Sequence, residues 1–333
     1  MTTERKGRRT SKAKVEVAAP PAFDKGLRTL TGLPDPEPAP LSPTAASSVP
    51  ATEFLSLGRM METHGGSTLE HVPGFDRARA RNHGLLPMNA NPVKDVQKAN
   101  KSKVFESQGD SVGHELVEID DTTGLPWRCI ARLEITFSDG SKDIGTAWFM
   151  SDRCLGTAAH NIFSHREGKG MAVEIIVSPA FDGAVAPFRS FSVSETYCDS
   201  RWLEGNDDPE FDFGALRLAS SAAGHALGNF GFASFEDKQF RKLQVNICGY
   251  ANDRFPKSQY YSGGRLLKSN RKALLIYDFE TAGGMSGAPV FGLFGQQRIV
   301  VGIHIQGSED RGRARRIDPE VYKALRTFAD RPA

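Results

Sequence analysis

The stretch TAGGMSGAPVF, residues 281–291, sets a single serine, Ser286, among glycines with Pro289 close behind. Glycine, serine and proline in this order are ordinary turn punctuation, so the stretch by itself fits either a nucleophile or a sharp turn of a β-rich chain. One arrangement is excluded at once. The strand-to-helix elbow of the α/β-hydrolases needs glycine two residues before and two residues after its serine, and Ala288 holds the second place. What remains is a turn in which backbone approach matters more than side chains. There the amides of Gly284 and Ser286 would meet a tetrahedral oxyanion, and a Cβ at position 284 would hinder the conformation this requires.

A nucleophile needs a base, and the base needs a group to orient it. In CLGTAAHNIF, residues 154–163, His160 directly follows a run of small residues that allow a compact loop. The same histidine could equally be a satisfied core or loop residue. In EFDFGALRL, residues 210–218, Asp212 stands between aromatics at the mouth of an apolar run. A carboxylate there is either exposed at a strand end or buried with a partner, because burying it alone is costly. The order histidine, aspartate, serine is that of the chymotrypsin-type triad and differs from the subtilisin and α/β-hydrolase orders.

The surrounding chain reads as antiparallel sheet. From Cys129 to Phe137 the odd positions are Cys, Ala, Leu, Ile and Phe while the even ones are mostly polar, the period of a half-buried strand. Asp139-Gly140 predicts a tight turn, with IGTAWFM returning as the second strand of a hairpin. The runs FRSFSVSETY, FGALRL, KLQVNICGY, ALLIYDF and RIVVGIHIQ predict further short strands, which together suit antiparallel barrels or a sandwich. Only the end looks helical: Asp318 can cap, Pro319 suits the first turn, and Val321, Leu325 and Phe328 share a face.

The chain of 333 residues is 39% hydrophobic and 25% charged, a globular composition, but its parts differ. Residues 1–103 hold 16 Lys/Arg against 10 Asp/Glu and 11 of the 19 prolines; the first 50 carry too little apolar sequence to fold and read as disordered. The opening MTTERKGRRTSKAK is basic enough to touch an anionic partner such as nucleic acid, although such tails are commonly only solvated. No stretch reads as a signal peptide or a membrane-spanning helix, which leaves the compartment undetermined between cytoplasmic and non-classically exported. Cys129, Cys154, Cys198 and Cys248 lie far apart without metal-ligand spacing, so free thiols are expected and neither a zinc site nor any other metal or cofactor is.

With these residues in view, the chain resembles a trypsin-like serine peptidase of the bacterial glutamyl endopeptidase branch. The resemblance runs from about residue 104 to 329, through LPWRCIARL, GTAWFM, TAAHNIF, FDFGALRL, LGNFGF, NICGYAND, YDFETAGGMSGAPVF, VVGIHIQG and RIDPEVYKALRTF. It implies an all-β fold of two six-stranded antiparallel β-barrels with a C-terminal helix, after a long, largely disordered N-terminal segment. The expected division is residues 1–103 as tail or pro-segment and 104–333 as a peptidase domain with its cleft between the barrels. His160 would be the general base and then acid, Asp212 its orienter, Ser286 the acyl-forming nucleophile, and Gly284 with Ser286 the oxyanion donors. The substrate would be a peptide or protein and the enzyme a monomer. Asn161 departs from the pattern, standing where many relatives have cysteine, and the secretion that the resemblance suggests has no visible signal.

Specificity has two readings. Glu280, six residues before Ser286, occupies the place where enzymes that cut after Lys or Arg carry an acid. Thr281 and His304 occupy places that bind a substrate carboxylate in the glutamyl endopeptidase branch, which favours cleavage after Glu or Asp; His304 could instead be a structural histidine bonded to a backbone carbonyl. The resemblance further implies that cutting after Lys103 would free the Val104 amine to join Thr281 and His304 in that pocket. A module that keeps the fold without catalysis is the alternative to an enzyme.

Overall fold

A computed structural model describes residues 27–30, 66–72, 75, 116–205, 207–222, 225–240, 243–255, 257–267, 272–307 and 311–331. Its strands are β1 (Arg28–Leu30), β2 (Val117–Glu118), β3 (Ile130–Phe137), β4 (Lys142–Phe149), β5 (Cys154–Thr157), β6 (Phe163–Ser164), β7 (Gly170–Pro179), β8 (Phe191–Cys198) and β9 (Gly214–Leu218). They continue as β10 (Gly231–Phe232), β11 (Gln244–Tyr250), β12 (Gln259–Leu267), β13 (Leu274–Tyr277), β14 (Pro289–Phe294), β15 (Gln297–Gly307) and β16 (Gly312–Arg316). The helices are α1 (Ser200–Leu203), α2 (Asp237–Phe240) and α3 (Pro319–Asp330).

The alternation read from Cys129 becomes β3, whose Leu133, Ile135 and Phe137 are buried while Glu134 faces solvent. Asp139 and Gly140 turn it back, with Gly140 at φ 84° and the Asp139 carboxylate accepting from the Ser141 amide at 2.9 Å. β4 then pairs antiparallel with β3, Thr136 opposite Lys142. Further pairing runs β8, β9, β5, β4, β3, β7, and β7 closes the ring onto β8, which makes six strands. The second ring runs β15, β14, β11, β12, β13, β16 and closes between β16 and β15. Both expected six-stranded antiparallel barrels are therefore present, and closure leaves each without the free edges an open sheet would expose.

The barrels meet over an apolar seam. Trp148, Tyr250, Phe230 and Phe291 are buried in one cluster that also takes in Val321, Leu325 and Phe328 of α3. The Gln259 amide crosses the seam to the Trp127 carbonyl at 3.0 Å and bonds the Tyr250 hydroxyl of its own barrel at 2.8 Å. Asp318 caps α3 as its sequence predicts, accepting from the amides of Glu320 and Val321 at 3.0 Å. The helix lies on the first barrel, where Arg217 reaches the Phe328 carbonyl at 2.5 Å and its guanidinium sits 5.1 Å from the Phe328 ring. All four cysteines are buried free thiols, and burial pushes those of Cys129 and Cys198 up to about 12. Among the described residues no helix is long and apolar enough to cross a membrane.

The N-terminal segment differs from its reading at the residues described. Arg28–Leu30, inside the first 50 residues read as disordered, form β1 and pair in parallel with β8. Residues 66–72 and Phe75 lie against the second barrel. The basic run 1–14, Lys103 and Val104 fall outside the described residues.

Candidate active site

His160 stands in a single 3-10 turn, Ala159–Asn161, just after β5. The small residues before it have a physical reason. Ala158 and Ala159 are fully buried, and a Cβ placed on Gly214 would sit 2.7 Å from the Tyr197 carbonyl and 3.6 Å from the Ala159 backbone, so the loop and β9 pack backbone to backbone. That approach brings Asp212, two residues before β9, under the histidine. Its Oδ1 accepts from the His160 amide at 3.0 Å and its Oδ2 lies 2.7 Å from His160 Nδ1. Asp212 is thus the carboxylate buried with a partner, at 5% exposure between the aromatic rings that flank it. An ionised carboxylate only accepts, so Nδ1 carries the proton and Nε2 keeps its lone pair for chemistry.

The turn of Ser286 is shaped by two glycines in the left-handed region. Gly284 has φ 92°, and a Cβ on it would meet the Tyr250 carbonyl at 2.4 Å; Gly287 has φ 90°, and its Cβ would meet the Thr146 carbonyl at 2.1 Å. Two further bonds set the peptide planes. The Gly283 carbonyl accepts from the Asn252 amide at 2.6 Å and the Met285 carbonyl from the Ala288 amide at 2.9 Å. In a trans peptide the N–H points opposite to its C=O, so these bonds turn the amides of Gly284 and Ser286 away from the protein contacts. Neither amide has a hydrogen-bond acceptor among the described residues.

Two residues that the sequence left without a role hold this turn against the first barrel. Thr146 in β4 gives its amide to the Ser286 carbonyl at 2.8 Å and its hydroxyl to the Gly284 carbonyl at 2.9 Å. Asn161, next to His160, gives its side-chain amide to the same Ser286 carbonyl at 2.9 Å and to the Thr157 hydroxyl at 2.9 Å. Position 161 was visible in the sequence as a departure from the cysteine of many relatives; Thr146 carried no local signal. The histidine turn and the serine turn are therefore linked through adjacent residues. Among the described residues no hydrogen bond joins the Ser286 hydroxyl to His160, a contact that commonly tightens only when substrate is bound.

Thr281 and His304 come together beside this turn. The His304 carbonyl accepts from the Gly287 amide at 2.7 Å, its amide donates to the Ala288 carbonyl at 2.9 Å, and Nδ1 pairs with the Tyr277 hydroxyl. A Cβ on Gly307 would collide with the Thr281 hydroxyl and reach within 3.1 Å of the His304 ring, so glycine there lets β15 close on Thr281. The Thr281 hydroxyl is buried with no hydrogen-bond partner among the described residues. Burial first, then the nearby His160, push the His304 imidazole down to about 3, against the opposing effect of a hydrogen bond to the Arg313 backbone. His304 is therefore neutral near pH 7. Glu280 is already engaged: it takes the Leu116 amide at 2.8 Å and forms an ion pair with Arg254. Val104 lies outside the described residues, so its placement beside Thr281 and His304 stays an expectation.

Two measurements follow from these contacts. Asn161→Ala leaves the half-buried Ser286 carbonyl with one donor fewer and should lower the unfolding free energy by roughly 1–3 kcal/mol in urea titrations; an unchanged midpoint would mean that the bond contributes nothing. His304 binds a proton in the unfolded chain below about pH 6.5 and in the folded protein only near about 3. Its contribution is complete above pH 6.5 and is lost as the pH falls toward 3, by an amount on the order of a few kcal/mol. His304→Gln should flatten the decline of stability across that window, and an unaltered pH profile would show that the imidazole is not buried neutral.

No family profile matches the chain. A glutamyl endopeptidase of Bacillus licheniformis is 30% identical over 215 residues, which cover 62% of this chain and 65% of that protein; the match thus spans less than two thirds of the relative's length. Among solved structures, a Glu endopeptidase superposes with TM-score 0.55 at 18% identity over 64% of this chain and 95% of its own. The protease Anisep of Arthrobacter nicotinovorans gives 0.53 at 16% identity over 61% and 95%, and the thermostable serine protease AL20 gives 0.53 at 14% over 61% and 96%. At such identities the structures speak for the fold. The chain has the chymotrypsin-like fold of two barrels, and over 215 residues it is a homologue of a glutamyl endopeptidase.

Proposed function

We propose that this protein is a serine endopeptidase that hydrolyses peptide bonds through an acyl-enzyme and prefers to cut after Glu or Asp. The observation that carries the reading is the 2.7 Å contact of His160 Nδ1 with Asp212, joined to the Ser286 turn through Asn161 at 2.9 Å. In this scheme His160 Nε2 takes the Ser286 proton as Oγ attacks the scissile carbonyl. The oxyanion falls to the amides of Gly284 and Ser286, which have no acceptor among the described residues. The proton then passes to the leaving amine, and water, activated by the same imidazole, hydrolyses the ester and returns Ser286. Asp212 stays ionised throughout, holding the ring and offsetting the charge it gains.

The acidic preference draws support from the groups beside the turn. Thr281 offers a buried hydroxyl with no partner among the described residues, and a substrate carboxylate would supply the acceptor it lacks. His304 lies beside it across Gly307, neutral, and an imidazole that exchanged its Arg313 backbone bond for the carboxylate would meet it as an uncharged donor. The competing preference for Lys or Arg needs a free acid at Glu280, and its ion pair with Arg254 counts against that. A peptidase-like module without catalysis would lack turnover altogether.

A defined peptide library incubated with the protein tests both parts together. Cleavage should concentrate after Glu and Asp, and Ser286→Ala should reduce turnover on the order of a millionfold while preserving the fold. Cuts after Lys and Arg would move the specificity to Glu280. Equal activity of the Ser286→Ala protein would end the serine-peptidase reading, as would a folded parent with no activity on any peptide.

A further inference from the structure

Asn246 lies in the middle of β11, between Val245 and Ile247, and is fully buried. A side-chain amide in such a place must find partners for its carbonyl oxygen and its NH2 group. Within the barrel it finds two: the Tyr261 hydroxyl donates to Oδ1 at 2.7 Å, and Nδ2 donates to the Phe291 carbonyl at 3.1 Å. The remaining two come from the N-terminal segment, whose Glu70 amide donates to Oδ1 at 2.7 Å and whose Thr68 carbonyl accepts from Nδ2 at 3.1 Å. The amide is satisfied by the backbone of a chain segment more than 170 residues away.

The rest of the contact is of the same quality. The Thr68 amide donates to the Leu293 carbonyl at 2.9 Å, and the Ser67 hydroxyl to the Gln244 carbonyl at 2.6 Å. Glu70, 7% exposed, holds Arg298 by two bonds of 2.5 and 3.0 Å, the two-pronged geometry that fixes orientation as well as charge. Leu69 packs over Gly263, where a Cβ would stand 3.0 Å from its Cδ2. Val72 and Phe75 enter the apolar seam between the barrels, Phe75 edge-to-face with Tyr261 at 5.0 Å between ring centroids. A second attachment reaches the first barrel, where β1 pairs with β8 and the Thr29 and Thr196 hydroxyls meet at 2.5 Å.

We infer that residues 66–72 and Phe75 are a permanent clamp on the second barrel, so that the folded domain begins before Ser67 and not near residue 104. The surface formed by Asn246, Tyr261, Gly263, Leu293 and Arg298 is the receptor for this segment of the same chain. A cut after Lys103 accordingly leaves the N-terminal piece bound and does not release it as a pro-segment. The inference is independent of the catalytic reading, since none of these residues belongs to the serine, histidine or aspartate site.

The test uses the full chain with a site-specific protease sequence inserted between residues 103 and 104, cut after folding and passed through a sizing column in native buffer. The two pieces should elute together and part only in denaturant, and Glu70→Ala should lower the melting temperature of the cut protein by about 5 °C or more. Separation in native buffer, with the larger piece keeping the melting temperature of the uncut chain, overturns the inference. If the inserted site resists cutting, hydrogen exchange on the uncut chain decides the matter. The amides of Thr68 and Glu70 should exchange as slowly as those of β11, and exchange at the rate of an open chain would contradict the clamp.

Discussion

The site rests on one carbonyl. Ser286 C=O accepts from the Thr146 amide in β4 and from the Asn161 side chain beside His160, so the serine turn of the second barrel is pinned to the histidine side of the first. The other supports of the turn gather around that pin. The two left-handed glycines shape the turn, the bonds at Gly283 and Met285 set its peptide planes, and His304 supports it from β15. A displacement of one barrel against the other would pull on all of these together. The broad apolar seam of Trp148, Tyr250, Phe230 and Phe291 resists such movement because packed interiors yield little without loss of contact.

Charge is distributed with similar economy. The buried carboxylate of Asp212 has both oxygens engaged by His160, and Glu280 is balanced by Arg254 and a backbone amide. His304, deep in the second barrel, is held neutral by burial and bonded to Tyr277, whose phenol burial pushes well up and keeps protonated. No uncompensated charge is needed to hold the site together. That matters because a lone buried ion costs far more than a hydrogen bond returns.

Much of this was legible in the sequence, and the parts that were not share a cause. Period-two alternation from Cys129, the Asp139-Gly140 turn and the Asp318-Pro319 cap are local signals, and each became the element it predicted. The candidate triad could be read from order because His160, Asp212 and Ser286 each sit in a short distinctive run. Thr146, Asn161 and Arg254 act over long separations through single hydrogen bonds or ion pairs, and such contacts leave no periodicity behind. The docking of residues 66–72 was hidden for another reason. Its partners, Asn246 and Arg298 among them, lie far along the chain, while the first 50 residues, proline-rich and polar, argued for a segment without a core.

The central claim is that Ser286 is an activated nucleophile, and covalent labelling tests it most directly. The folded protein is treated with a fluorophosphonate, whose phosphorus an activated serine attacks readily with displacement of fluoride, and the adduct is located by peptide mass mapping. The account predicts one equivalent bound per chain, on the peptide that contains Ser286, with labelling abolished in unfolded protein. A folded protein that takes up no label, or takes it on a residue other than Ser286, would contradict it.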